Sequence, residues 1–206
     1  MTADLKNHWE KVYRTKAPDA VSWYRPHLER SLALIQRVAG DHANPIIDVG
    51  GGESTLVDDL IAASYRDVTV LDLSQKALEV ARERLGASAS AVHWIVGDAT
   101  RVSLEEQRYA VWHDRAVFHF LTDPKARADY VVQVARAVKR GGHVLVATFG
   151  PEGPEKCSGL DVVRYDAESL HDEFGVRFRL EESATEMHTT PFGTTQQFMY
   201  CLCKLV

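Results

Sequence analysis

The sequence predicts a doubly wound α/β domain with a mostly parallel sheet, on three grounds. Short apolar runs alternate with helical patterns from Pro45 to Phe149. A glycine-rich turn, Gly50-Gly51-Gly52, joins the first of those runs to the first helix that follows it. Two β-rich runs separated by PFG close the chain, which favours an antiparallel hairpin at the end of the sheet. Strands separated by helices pair in parallel through right-handed crossovers. A chain of 206 residues buries roughly 70% of its unfolded surface and needs no disulfide or metal staple.

The elements follow in order. Residues 1–42 hold HWEKVY, SWYRP and a helix, RPHLERSLALIQRVAG, and form an N-terminal extension to a sheet core at 43–206, the whole reading as one domain, 1–206. PIIDVG is the first strand, and STLVDDLIAA the next helix, with Ser54 or Thr55 at its start. RDVTVLDL is the second strand. Ser74 then caps SQKALEVARERL, whose Ala77, Leu78, Ala81 and Leu85 recur at helical spacing. AVHWIVGD and YAVWHD are the third and fourth strands. DPKARADYVVQVARAVK carries proline in its first turn and Lys139 and Arg140 at its end, and Gly141-Gly142 is expected to stop it before the strand HVLVATF. After the turn-rich GPEGPEKCSG come a short helix, DAESLHDEF, and the runs VRFRLEESATEMHTT and TQQFMYCLCKLV.

Composition narrows the function. The charges are 24 Lys+Arg against 29 Asp+Glu, a net −5, which disfavours a polyanionic partner such as nucleic acid. No window approaches the roughly 20 consecutive apolar residues of a membrane span, and MTADLKNHWEK lacks the apolar core of a secretory signal. Cys157, Cys201 and Cys203 are odd in number and lack paired metal spacing, so buried thiols in a reducing cytoplasm are expected. Nine histidines lie scattered without an i, i+4 pair, so no metal site is expected.

The segment Ile46-Ile47-Asp48-Val49-Gly50-Gly51-Gly52-Glu53-Ser54 lets a ligand approach the backbone closely. Asp48 discriminates between ligands, because a carboxylate at the mouth of the loop opposes a pyrophosphate and attracts an ammonium or sulfonium. Thr55 stands at the third glycine position of G-x-G-x-x-G, and no Gly-Lys-Ser/Thr follows, so a dinucleotide fits poorly. Asp72 closes VTVLD, 20 residues beyond Gly52, where a carboxylate can accept from both ribose hydroxyls. Asp98 closes WIVGD, where it can accept from an adenine amino group. Each acid alone reads as a cap or turn residue. Three at the carboxyl ends of consecutive strands mark a ligand-binding edge.

DVGGGES, LDLS, VGDAT and GGHVLVATF resemble the successive motifs of class I S-adenosylmethionine-dependent methyltransferases over residues 44–149. The resemblance implies a Rossmann-like, seven-stranded sheet with S-adenosylmethionine as cofactor. It implies that Asp48, Gly50, Gly51 and Gly52 contact the methionine part, Asp72 the ribose, and Asp98 with Ala99 the adenine, with Ser54 and Leu73 in the same site. Ser54 replaces the third glycine of the family's alternating-glycine pattern.

The fourth strand runs into Val111-Trp112-His113-Asp114-Arg115-Ala116-Val117-Phe118-His119-Phe120-Leu121, without the Asn/Asp-Pro-Pro-Tyr/Phe of families that methylate adenine or amide nitrogens. Asp114-Arg115-Ala116 resembles the Asp-Arg-Gly element of thiopurine-type thiol methyltransferases and the equivalent part of tellurite-resistance methyltransferases. It also resembles the Asp-Lys-Gly element of some protein-lysine methyltransferases. The expected acceptor is a small-molecule thiol or other soft nucleophile. Protein-lysine methylation and cofactor binding without transfer are the alternatives. His119 is a candidate general base, although it reads equally as a packing histidine. Asp114 is a candidate for catalysis and cofactor contact. Arg164, with Tyr165 and Cys157, is a candidate for the acceptor mouth, where arginine suits an anion. Trp9, Tyr13, Trp23 and Tyr24 are expected to fold over the cofactor edge as a lid that excludes water, against a plain hydrophobic cap.

Overall fold

Strand β1 (Ile46–Val49) is buried along its whole length, Asp48 included, as befits a central strand covered on both faces. The structure, a computed structural model, describes residues 3–206. β1 lies between β2 (Val68–Asp72) and β4 (Tyr109–Arg115), parallel to both. β3 (Val92–Val96) pairs with β2, and β5 (Val138–Phe149) with β4, again in parallel. After β5 come a two-residue pair, β6 (Lys156–Cys157) and β7 (Leu160–Asp161), and then two long strands, β8 (Phe178–Thr189) and β9 (Thr195–Leu205). β9 pairs antiparallel with both β5 and β8, so the main sheet has seven strands in the order β3-β2-β1-β4-β5-β9-β8.

Helices cover both faces. α2 (Glu29–Ala39), α3 (Leu56–Ala62) and α4 (Gln75–Leu85) bury Ile35, Leu60 and Leu78 against Ile46, Val68 and Leu145. α5 (Pro124–Ala137) and α6 (Ala167–Phe174) bury Tyr130, Val134, Leu170 and Phe174 against Ile47, Val144 and Val146 on the other face. Ser74 accepts from the Ala77 N–H, and Asp123 and Asp166 cap α5 and α6 in the same way. Cys201 and Cys203 lie on one face of β9, buried and unbridged. No helix among the described residues is long and apolar enough to cross a membrane.

Two expectations change. The first N-terminal aromatics sit on a helix, α1 (Ala3–Thr15), which the sequence reading left unassigned. α5 ends at Ala137 rather than at Gly141-Gly142, so Lys139 and Arg140 belong to β5. Val138 is β-branched and pairs with Tyr109, which begins the strand early. Gly142 serves close packing within β5, since a Cβ there would stand 2.8 Å from the Lys139 carbonyl oxygen and 3.0 Å from that of Ala110.

The strand order reverses between β1 and β4, where crossovers leave in opposite directions. That leaves a crevice at the carboxyl ends of the parallel strands, the edge at which open α/β sheets bind ligands.

Candidate active site

The turn after β1 is shaped around two carboxylates. Gly50 and Gly52 adopt φ of +66° and +40°, where side chains are strained. A Cβ at Gly51 would lie 2.7 Å from Asp48 Oδ2, and one at Gly52 would lie 2.9 Å from Asp72 Oδ2. A Cβ at Gly50 would run into the Val117 side chain. The glycines thus admit the acids of β1 and β2 to the turn.

Each acid is held differently. His113 Nδ1 sits 2.7 Å from Asp48 Oδ1, and His113 Nε2 sits 2.9 Å from Ser31 Oγ, while Asp48 Oδ2 is buried without a partner. Asp72 Oδ1 accepts from the Ser74 N–H at 2.7 Å. Burial pushes the Asp72 carboxyl up to about 7, and the nearby Asp48 adds to the rise. Glu53 follows the glycines, and neither of its buried carboxyl oxygens has a partner. Burial raises it to about 7 against the opposing pull of Arg84 and Lys76.

Two adjoining cavities open here. The first places Trp9, Tyr13, Trp23 and Phe120 opposite Asp72, Leu73, Gly97 and Ala99. Trp9 makes its aromatic centre, with ring centroids 5.1 Å from Phe120, 5.7 Å from Trp23 and 5.9 Å from Tyr13. The second shares Tyr13, Trp23, Gly50 and Arg115 and adds Asp48, Gly51, Glu53 and Ser54. Arg115 is fixed where they meet. Its Nε donates to the Tyr200 hydroxyl and its Nη1 to the Trp23 carbonyl, both at 3.1 Å, and its guanidinium lies 4.2 Å from the Phe198 ring centroid.

The sequence-derived site residues divide clearly. Trp9, Tyr13, Trp23, Gly50, Asp72, Leu73 and Ala99 line the first cavity, and Asp48, Gly51 and Ser54 the second. Gly52 lines neither; it underlies Asp72. Asp98 also lies outside both cavities, accepting from the Thr100 N–H and hydroxyl at 2.9 and 2.7 Å.

The three expected catalytic residues lie elsewhere. Asp114 is fully buried, and its carboxylate accepts from the Tyr130 hydroxyl and from the N–H groups of Val117 and Phe118. It therefore closes the turn after β4 instead of facing a ligand. His119 is fully buried too, and its Nδ1 accepts from the Phe149 N–H at 3.2 Å. Burial, with Arg115 nearby, pushes it down to about 3, so the ring is neutral and poorly suited as a general base. Arg164 donates to the Pro151 and Gly153 carbonyls and to Glu155, away from both cavities. Tyr165 packs in the core beside Phe118.

Sequence reading overlooked Glu53, Arg115 and Phe120 as site residues. Arg115 had a signal in the expectation that the end of β4 faces the ligand. Alternation in a strand sends Asp114 and Arg115 to opposite faces, so choosing the acid there meant missing its neighbour. Ala116, next in line, lines the first cavity with φ of +69°, a conformation native to glycine.

The fold and the motifs are similar to those of class I S-adenosylmethionine-dependent methyltransferases, which take their methyl group from S-adenosylmethionine. Residues 46–142 match the methyltransferase domain family. An S-adenosylmethionine-dependent methyltransferase from Anabaena variabilis superposes with a TM-score of 0.74 at 16% identity, covering 100% of this chain and 96% of that one. The N-methyltransferase NodS from Bradyrhizobium japonicum, solved with S-adenosyl-L-homocysteine, does so with 0.73 at 14% identity, covering 97% and 98%. Among curated proteins, an eEF1A lysine and N-terminal methyltransferase homolog of Drosophila melanogaster is 24% identical over 142 residues, 66% of this chain and 21% of that protein. The chain thus spans about a fifth of the length of that curated relative.

Proposed function

We propose that this chain transfers a methyl group from S-adenosylmethionine to a small soft nucleophile, a thiol above all, in the aromatic cavity beneath α1. The observation that carries this reading is the enclosure of that cavity by Trp9, Trp23 and Phe120 beside the cofactor edge. When bound, the cofactor supplies an electrophilic methyl group on a sulfonium. In this reading Asp72 receives the ribose hydroxyls, Leu73 and Ala99 pack against the adenosyl group, and Asp98 supports the adenine end. Asp48, Gly50, Gly51 and Ser54 adjoin the methionine end. The unpartnered Asp48 Oδ2 and Glu53 oxygens suit a cationic group there.

Trp9, Trp23 and Phe120 hold the acceptor against the methyl and exclude water, so catalysis comes from near-attack positioning. Burial pushes the Cys157 thiol in the wall up to about 12, and Arg115 donates rather than accepts. Neither is a base for an acceptor proton, which favours an acceptor that ionises by itself. Three buried, unbridged cysteines suit the reducing cytoplasm in which small thiols abound.

A second reading, methylation of protein lysine or N-terminal amines, draws on the curated relatives, whose names state that activity. The test is an acceptor screen with methyl-labelled S-adenosylmethionine. The expected result is label in small thiols, at a rate that tracks each thiol's own anionic fraction across pH. Label in protein bands with no small-molecule product would overturn the acceptor class and favour the second reading. Cofactor binding with no labelled product from any acceptor would favour binding without transfer.

A further inference from the structure

The main sheet ends on an open edge. β8 is its last strand and carries 12 residues, against 5 in β3 at the other edge. Where the hairpin closes, the Thr190 N–H donates to the Thr194 carbonyl at 2.8 Å, so the even-numbered residues from 182 to 188 bond to β9. The Gly150 N–H, donating to the Gln197 carbonyl at 2.9 Å from the β5 side, requires the same alternation. The N–H and C=O groups of Ser183, Thr185 and Met187 therefore point outward, away from β9.

An exposed edge is a template for another strand, and proteins ordinarily blunt it with lysine, proline, a bulge or a covering segment. β8 has a bulge between Leu180 and Glu182, and Pro191 follows its other end. Between them, residues 182–189 hold no lysine, proline or bulge. Ser183, Thr185, Met187 and Thr189 are uncharged and exposed, Met187 at 55%. The two acids of the stretch are neutralised within the chain, Glu182 by Arg37 at 2.6 Å and Glu186 by Arg25 and Arg30 at 2.7 and 3.2 Å. The edge is thus neither charged nor interrupted where its backbone faces outward.

We propose that β8 pairs with β8 of a second copy of this chain, antiparallel about a two-fold axis through Thr185, so that the two sheets become one. Like charges directly opposite each other destabilise a strand pair, and that rule selects the register. An axis on Ala184 sets Glu182 against Glu186 of the second copy, and an axis on Glu186 sets that acid against itself. An axis on Ser183 brings the bulge into the ladder, and one on Met187 brings in Pro191. With the axis on Thr185, Glu182 lies opposite His188, Glu186 opposite Ala184, and Met187 opposite the small Ser183. Thr185 meets Thr185 of the second copy. These Thr185–Thr185 and Ser183–Met187 pairs are the ones whose N–H and C=O groups point outward, so they exchange the hydrogen bonds of an antiparallel ladder. The edge is complementary to itself, and the two-fold axis closes the assembly at a dimer.

Sedimentation equilibrium of the full chain is the test, with Thr185→Lys and Thr185→Val beside the wild type. The expected wild-type mass is that of two chains at about 50 μM, a concentration suited to a modest interface. Thr185→Lys sets two cations against each other on the axis and should raise the dissociation constant at least about tenfold. Thr185→Val keeps a β-branched strand residue and should leave it unchanged. Circular dichroism and melting curves check that both variants are folded. Thr185→Cys reads the register without relying on the lysine. Opposed residues in such a pair lie about 5.5 Å apart at Cα, within disulfide reach, so mild oxidation should link Thr185→Cys into a covalent dimer and leave Ser183→Cys unlinked. Cys157, Cys201 and Cys203 are buried and do not compete. A monomeric wild type overturns the proposal and leaves the edge to a strand of a different protein. A dimer that Thr185→Lys does not weaken overturns it too, as does one that Ser183→Cys links and Thr185→Cys does not.

Discussion

His113 Nδ1 lies 2.7 Å from Asp48 Oδ1, and both residues are buried, His113 on β4 and Asp48 on β1. Nε2 of the same ring lies 2.9 Å from Ser31 Oγ on α2. The chain of three side chains ties a helix to two strands and aims the acid that borders the glycine turn. Replacing His113 with leucine strands a buried carboxylate, which should cost about 3–5 kcal/mol. Ser31→Ala should cost only about 1 kcal/mol, the worth of one ordinary hydrogen bond. Chemical denaturation of the two variants checks the order. Equal stability of His113→Leu and wild type would show that Asp48 draws no support from the ring.

Asp114 invites a second test, because its carboxylate lies among N–H and O–H donors and not in a cavity. Tyr130→Phe removes one of those donors and also the acceptor of the Trp112 Nε1–H, 2.9 Å away. A loss of about 1.5–3 kcal/mol in stability is expected, with affinity for S-adenosylhomocysteine unchanged. A clear drop in that affinity at full stability would return Asp114 to the ligand site.

Asp72 makes stability depend on pH. Burial raises its carboxyl from 3.8 to about 7, so the folded protein prefers the neutral acid. Its stabilising share is complete below the unfolded value, near pH 4, and is lost as pH rises through about 7. Asp72→Asn should therefore stabilise the ligand-free protein above pH 7 by on the order of 1–3 kcal/mol, with little change near pH 4. If Asp72 receives the ribose as proposed, the same substitution should weaken S-adenosylhomocysteine by about 1–3 kcal/mol through loss of that acceptor. Melting curves across pH, paired with calorimetry, give both halves. An Asp72→Asn protein no more stable than wild type above pH 7 would contradict the first.

Trp9 tests the lid. Its ring meets Trp23, Tyr13 and Phe120 at the wall of the first cavity, and it lies on α1, outside the two main core clusters. Trp9→Ala should leave the sheet folded and lower kcat/KM at least about tenfold, as water enters and the acceptor loses its wall. Full activity would reject the lid, and global unfolding would favour a hydrophobic cap.

The order of strands and helices from β1 to β5 was legible in the chain because each carries its own period and punctuation, as at Ser74 before α4. The glycine turn and the three strand-end acids were equally legible, since spacing along a strand places them at one edge. Three things needed the folded chain. The HWEKVY segment declares itself a helix only by packing its aromatics over the first cavity, where tertiary contact outweighs weak local signals. The fates of Asp114 and Arg115 depended on which face of β4 meets α5 and which meets the crevice. His119 looked like a base by its type, and only burial, which withdraws the water that would stabilise its charge, made it a neutral packing ring. Residue type and spacing thus determined which chemistry this chain can bring to the sheet edge. Burial and partners, set by contacts distant in sequence, decided which of those groups remain open to a ligand, because a polar atom already satisfied inside the protein gains little by binding anything else.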